Sequence, residues 1–221
     1  MRYNSVIFDF DSTVVSIETF DMLAEVALAD STQREEILAA IKEVTNLGMT
    51  GAIPLEESFR RRMALVSLTK AHIDALIPRM TAYLSPSFAR NISFFKQESV
   101  GCYIVSGGFS ELIYPVSDML GVPRDHVFAN AFVYDDGGAV IGLDTSRPTC
   151  RAGGKAQQIL ALNVARPAVM VGDGMTDYEA KRLGGVDAFI AYTEYAQREA
   201  VCAVADSVAG DFDALATCVS K

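Results

Sequence analysis

The chain has 221 residues, of which 50% are hydrophobic and 21% charged, a balance that supports a sizeable folded core and excludes a disordered segment. A net charge of −9 argues against nucleic acid or an anionic membrane as the main partner, while an anionic small molecule stays open wherever a cation sits in its site. The four cysteines (Cys102, Cys150, Cys202 and Cys218) form no CxxC pair, and His72 and His126 complete no zinc-ligand spacing. Reduced thiols in a cytoplasmic protein are the expectation. The first residues run directly into an apolar strand, so no signal peptide is expected, and no apolar run reaches membrane-spanning length.

In chain order, residues 3–8 read as a buried strand rich in Val, Ile and Phe, leading into Asp9-Phe10-Asp11-Ser12-Thr13. From Glu18 to about Tyr83 the apolar period becomes helical. Phe20, Leu23, Ala24 and Ala27 share one stripe, then Ile37, Leu38, Ile41 and Val44, then Leu55, Phe59, Met63 and Val66, then Ile73, Leu76 and Ile77. Breaks at 30–32, 48–54 and 67–69 divide this stretch into four helices. Beyond Pro86 a helix through Phe94 precedes a strand over 101–105, the turn Ser106-Gly107-Gly108 and a helix through Leu120. Residues 127–133 and 139–141 flank a Gly-rich turn as a hairpin. Gly153-Gly154-Lys155 opens a helix to about Leu162. A strand over 168–171 ends in Gly172-Asp173-Gly174, before a helix to Leu183, a strand over 186–190 and a closing helix over 212–218.

Strands alternating with helices imply an α/β fold: a Rossmann-like, doubly wound parallel sheet with helices on both faces. The helical block interrupts that sheet directly after its first strand. The expected organisation is therefore a core of residues 1–13 and 84–221, with residues 14–83 inserted as a helical cap. Ligands of such sheets bind at the carboxyl ends of the strands, where this chain carries its least ordinary residues.

Asp9 and Asp11, two apart in an extended segment, project from one face. Two neighbouring carboxylates cannot both ionise freely, so their roles are expected to split between a nucleophile and a proton carrier. Ser106-Gly107-Gly108 suits an oxyanion through close backbone approach, free N–H groups and a hydroxyl; a plain Gly-rich turn has the same residues. Lys155 offers a positive charge, with a surface lysine as the alternative. Asp173 adds a third acid, and together with Asp9 and Asp11 calls for Mg²⁺, a hard cation that prefers oxygen ligands. Asp177 either joins that set or caps the following helix. Arg62 lies at the edge of an apolar stripe and can lean inward, whereas Arg60 and Arg61 read as solvated. Glu18 reads as a first-turn acid.

The order of these motifs resembles the haloacid dehalogenase superfamily and, within it, the phosphoserine phosphatase family. The resemblance rests on Asp9–Thr13 with Glu18, on Gly48-Met49-Thr50-Gly51-Ala52-Ile53-Pro54, on Arg62, and on Ile104-Val105-Ser106-Gly107-Gly108-Phe109. It continues through Val127-Phe128-Ala129-Asn130, Gly153-Gly154-Lys155 and Val171-Gly172-Asp173-Gly174-Met175-Thr176-Asp177. It implies a Mg²⁺-dependent phosphomonoesterase that hydrolyses O-phosphoserine through an aspartyl-phosphate on Asp9, with Asp11 as acid and base. It further implies Mg²⁺ held by Asp9, the Asp11 carbonyl and Asp173, steadied by Asp177. Ser106, Gly107, Gly108 and Lys155 would bind the phosphoryl oxygens. Glu18 would take the substrate ammonium and Arg62 its carboxylate, with Met49 bordering the pocket and Thr176 near the phosphate. A relative acting on another small phosphate ester, or passing the phosphoryl group to an alcohol, is the second reading. A phosphoaccepting signalling domain is the third, although such domains carry no helical block after the first strand.

Overall fold

The computed structural model describes residues 2–97 and 99–220; Met1, Glu98 and Lys221, all within the expected core, lie outside the described residues. In chain order the strands are β1 Ser5–Phe8, β2 Gly101–Phe109, β3 Val127–Asn130, β4 Phe132–Tyr134, β5 Val140–Leu143, β6 Ala168–Gly172, β7 Ala188–Tyr192 and β8 Ser207–Ala209. Six of them form a parallel sheet in the order β3-β2-β1-β6-β7-β8, and β4 pairs with β5 as an antiparallel hairpin. Every residue of β1, β6 and β7 is buried, as expected of parallel strands covered on both faces. Alternation along β1 divides the core. Val6 and Phe8 join one apolar cluster and Ile7 the other, on the opposite face.

From β1 the chain winds outward to β2 and β3, then returns to β6 and winds the other way. This reversal beside β1 opens a crevice at the strands' carboxyl ends. Between β1 and β2 lie α1 Thr19–Ala27, α2 Arg34–Met49, α3 Leu55–Leu65, α4 Lys70–Leu76 and a 3₁₀ turn over Ile77–Tyr83. The two connectors of this block pair with each other: Val15 bridges Leu84, Ser16 N donates to Tyr83 O at 3.0 Å, and Ser85 N donates to Val14 O at 3.0 Å. A second attachment joins the block to the hairpin, where Lys70 N donates to Gly138 O at 2.8 Å and Val140 N to Leu68 O at 2.9 Å.

Several elements differ from the sequence expectation. Residues 127–133 are not one hairpin strand. The ladder ends at Asn130, whose side chain turns back to Gly107 O at 2.8 Å, and the hairpin begins at Phe132, stacked on Phe109 with centroids 3.8 Å apart. Ser106-Gly107-Gly108 does not turn the chain; it bows out of β2, whose register on β3 jumps between Val105 and Phe109. The strand expected over 186–190 is shifted to Ala188–Tyr192. The helix expected from Pro86 through Phe94 is interrupted at Asn91 into Pro86–Arg90 (α5) and Ile92–Phe95 (α6), while Glu199–Cys202 (α10) and β8 are too short for a periodic signal. The helices Ser110–Leu120 (α7), Gly154–Leu162 (α8), Met175–Arg182 (α9) and Phe212–Ser220 (α11) stand close to expectation.

Candidate active site

Three buried acids meet at the sheet's switch point. Asp9 follows β1, Asp173 follows β6, and Asp177 lies in the first turn of α9. Their carboxylate oxygens lie within 4.8 Å of one another. Gly172 permits this approach, since a Cβ there would stand 2.2 Å from Asp177 Oδ2. Lys155, in the first turn of α8 and 4% exposed, places Nζ 2.9 Å from Asp9 Oδ1 and 2.6 Å from Asp177 Oδ1. The turn that delivers it needs Gly154, where a Cβ would stand 1.8 Å from Pro148 O. Asp9 Oδ1 also accepts from Phe10 N at 2.7 Å, and Asp177 Oδ2 from Gly174 N at 3.0 Å.

Burial disfavours the charged Lys155, yet the charges of Asp177 and Asp9 outweigh it and hold the ammonium above its ordinary range. Asp177 is pushed up to about 7 by burial and by the neighbouring Asp9 charge, against the pull of Lys155. Lys155 pairs only with Asp9 and Asp177, and the Arg198 guanidinium lies against Asp173 as a second cation. Oxygen donors at this mutual spacing fit a Mg²⁺ ion, whose opposite ligands stand about 4 Å apart.

Asp11 is positioned differently. Its Oδ2 accepts from Thr19 Oγ1 at 2.9 Å, while its buried Oδ1 has no hydrogen-bond partner. Burial, reinforced by Glu18 and Asp9, holds its carboxyl well above the usual carboxylate range. Such a group keeps its proton and can deliver it. Ser12 takes a positive φ of 51° and donates its hydroxyl to Glu18 Oε1 at 2.8 Å. Glu18 is also raised by burial.

One cavity collects these groups with residues of the helical block. It is lined by Asp9, Asp11, Ser106, Gly107, Gly108, Lys155 and Thr176 on one side, and by Glu18, Met49 and Arg62 on the other. Every expected site residue except Asp173 and Asp177 therefore lines it, and those two sit behind Asp9. Arg62, 6% exposed, lies between the rings of Phe20 and Phe59, 4.7 and 4.8 Å from their centroids. It also donates to Ser58 O at 3.4 Å and to Thr45 Oγ1 at 3.5 Å. Among the described residues, no carboxylate lies within 4.0 Å of the Arg62 guanidinium, and Glu18, Asp21 and Asp11 attract its charge from farther off.

Sequence reasoning missed Arg198. Its guanidinium binds the Asp173 carboxylate, donates to Asp173 O at 3.0 Å and approaches Glu18 Oε1 at 3.9 Å. Nothing in the local pattern around Tyr195–Arg198 marks it. The Phe20 and Phe59 rings were legible only as members of apolar stripes, and Asn130 only as part of a motif. Asn130 braces the bowed strand, donating to Gly107 O while Thr149 Oγ1 donates to its Oδ1 at 2.8 Å.

Known proteins resemble this chain in sequence and fold. Residues 6–182 match the family model of haloacid dehalogenase-like hydrolases. The chain is 36% identical over 214 residues to the chloroplastic phosphoserine phosphatase of Arabidopsis thaliana, covering 96% of this chain and 70% of that one. It is 31% identical over 192 residues to the phosphoserine phosphatase of Homo sapiens, covering 86% and 81%. A phosphoserine phosphohydrolase-like protein from Francisella tularensis superposes with a TM-score of 0.90 at 31% identity, covering 98% of this chain and 99% of the other. The chain belongs to the haloacid dehalogenase-like hydrolase family and is a relative of its phosphoserine phosphatases.

Proposed function

We propose that the protein is a Mg²⁺-dependent phosphatase that hydrolyses O-phosphoserine to serine and phosphate. The observation that carries the substrate is Arg62: a buried guanidinium fixed by two aromatic rings, with no ion pair of its own among the described residues, lining the cavity that holds Asp9 and Lys155. A planar donor fork in that position suits a carboxylate on the leaving group. Glu18, in the same lining, suits its ammonium. The relatedness to phosphoserine phosphatases supports the same reading.

Asp9 Oδ1 is engaged by Lys155 and Phe10 N, which leaves Oδ2 to attack phosphorus. An Asp9–phosphorus bond forms as the phosphorus–serine oxygen bond breaks, and Asp11 gives its proton to the departing alkoxide. Water then attacks phosphorus, returns a proton to Asp11 and frees Asp9 as phosphate leaves. Lys155, Ser106 and the Gly107 amide neutralise charge on the phosphoryl oxygens. Mg²⁺ would be held by Asp9, Asp173 and the Asp11 carbonyl with Asp177 alongside, and supplies further charge neutralisation at the phosphoryl group.

In this reading residues 14–83 act as a cap over a core of 1–13 and 84–221, opening for entry and closing to exclude water, with Met49 and Thr176 bordering the bound substrate. The enzyme would serve serine formation in the cytoplasm. The four cysteines are all unpaired, which suits a reducing compartment, and no helix among the described residues is long and apolar enough to cross a membrane. Phosphate release from both enantiomers of phosphoserine, phosphothreonine, phosphoethanolamine and an aryl phosphate, with Mg²⁺ and with EDTA, tests the proposal. Metal-dependent preference for phosphoserine is expected. Equal rates on phosphoethanolamine, which lacks the carboxylate, would overturn the assigned substrate.

A further inference from the structure

Glu194 lies outside the cavity, yet its carboxylate gathers an unusual set of hydroxyls. Oε2 accepts from Ser85 Oγ at 2.8 Å, Ser87 Oγ at 2.7 Å and Tyr192 OH at 2.5 Å, and Oε1 accepts from Tyr195 OH at 3.3 Å. Ser85, Ser87 and Tyr192 are buried, so each hydroxyl depends on such a partner. Ser85 caps α5 and Ser87 lies within it, whereas Tyr192 and Tyr195 flank Glu194 in the chain. Ser85 N pairs with Val14 O in the connectors of the helical block, Ser87 Oγ accepts from Phe212 N at the start of α11, and Tyr192 ends β7.

Four residues further along, Arg198 holds Asp173 and faces Glu18. Thr193 N makes the last sheet bond of this strand, to Ala209 O at 2.9 Å, and Arg198 O accepts from Val201 N at 3.0 Å as α10 begins. Among the described residues, the backbone of 194–197 makes no hydrogen bond. The path between β7 and Arg198 is therefore set at its two ends, by the Glu194 carboxylate and by Arg198 itself.

We propose that Glu194 is a positioning residue for the reaction, fixing the 194–198 loop against the connector at Ser85 so that Arg198 meets Asp173 and Glu18. Glu194 touches neither substrate nor metal and acts through Arg198. One end of the loop orients the acid expected to hold the metal, and the other grips the hinge on which the helical block would move. The inference rests on the reading of the site as a Mg²⁺-dependent phosphatase.

A double-mutant cycle tests it, with Glu194→Ala, Arg198→Ala and the pair of substitutions together. Two quantities are read on the full chain: the Mg²⁺ dissociation constant by calorimetry, and kcat and KM for phosphoserine. Outer partners of metal ligands commonly contribute ~10- to 100-fold in affinity, so Arg198→Ala is expected to weaken Mg²⁺ binding ~10-fold or more. Glu194→Ala weakens it in the same direction, and the double variant weakens it no further than Arg198→Ala alone. Glu194→Gln keeps the shape and one oxygen acceptor, so it guards against failure of the Ala variant to fold and falls between it and wild type. A Glu194→Ala protein with a lowered melting temperature but unchanged Mg²⁺ affinity and kcat/KM would overturn the proposal. Additive effects of the two substitutions would also overturn it. A wild-type protein that neither binds Mg²⁺ nor hydrolyses phosphoserine is a separate result, which removes the function reading and this inference with it.

Discussion

Lys155 Nζ stands 2.9 Å from Asp9 Oδ1, and both side chains are buried. The pair joins the exit of β1 to the first turn of α8, elements far apart in sequence that the parallel sheet brings together. Removing one partner of a buried pair costs about 3–5 kcal/mol, because the other is left charged and unpaired. Lys155→Met is therefore expected to lower the melting temperature markedly and to stop turnover. Lys155→Arg is expected to restore neither, since the larger planar fork does not fit between Asp9 and Asp177. Thermal melts beside phosphate-release assays check both, and an active Lys155→Met would separate Lys155 from the chemistry.

Arg62 is expected to govern substrate choice and not the phosphoryl step. Truncating one partner of a buried hydrogen-bonded charge pair costs about 2–5 kcal/mol. Arg62→Ala should therefore reduce kcat/KM for phosphoserine by ~30-fold or more, with little change for an aryl phosphate. Equal losses on both substrates would contradict the carboxylate role. Arg62→Lys should rescue little, because stacking between Phe20 and Phe59 requires a planar cation.

The acid cluster predicts a pH-dependent response to metal. Asp177 is raised from an ordinary 3.8 to about 7, and Asp11 and Glu18 are raised as well. Between the ordinary value and the raised one, the folded state binds more protons than the unfolded state. The stability Asp177 contributes is thus fully present below its unfolded pKa and is lost as pH rises through about 7, and Asp11 and Glu18 act in the same direction. Mg²⁺ binds the deprotonated oxygens and should offset that loss. The rise in melting temperature on adding Mg²⁺ is expected to be larger near about pH 8 than near about pH 5.5. An equal rise at both would place the ion elsewhere.

Much of this site was legible because its chemistry sits where a single element dictates direction. Asp9, Asp11 and Asp173 follow apolar strands, and Lys155 follows two glycines at a helix start, so short patterns locate them. The parallel sheet, though not its strand order, followed from alternation of strands with helices. What escaped depends on contacts between distant segments. Arg198 precedes a four-residue helix in a loop without periodicity, and its meaning arises only when β7 is laid beside β6. Glu194 gains its partners from Ser85 and Ser87, more than a hundred residues earlier. The division of residues 127–133 at Asn130 follows from a side-chain bond to Gly107 that no local pattern announces.

The central claim is that Asp9 carries the phosphoryl group during turnover. Rapid acid quench of the protein with Mg²⁺ and phosphoserine, followed by peptide mapping by mass spectrometry, tests it most directly. The account predicts one phosphoryl group on the peptide bearing Asp9, absent in Asp9→Asn and absent without metal. A phosphoryl group on another residue, or turnover by Asp9→Asn at a rate near wild type, would contradict it.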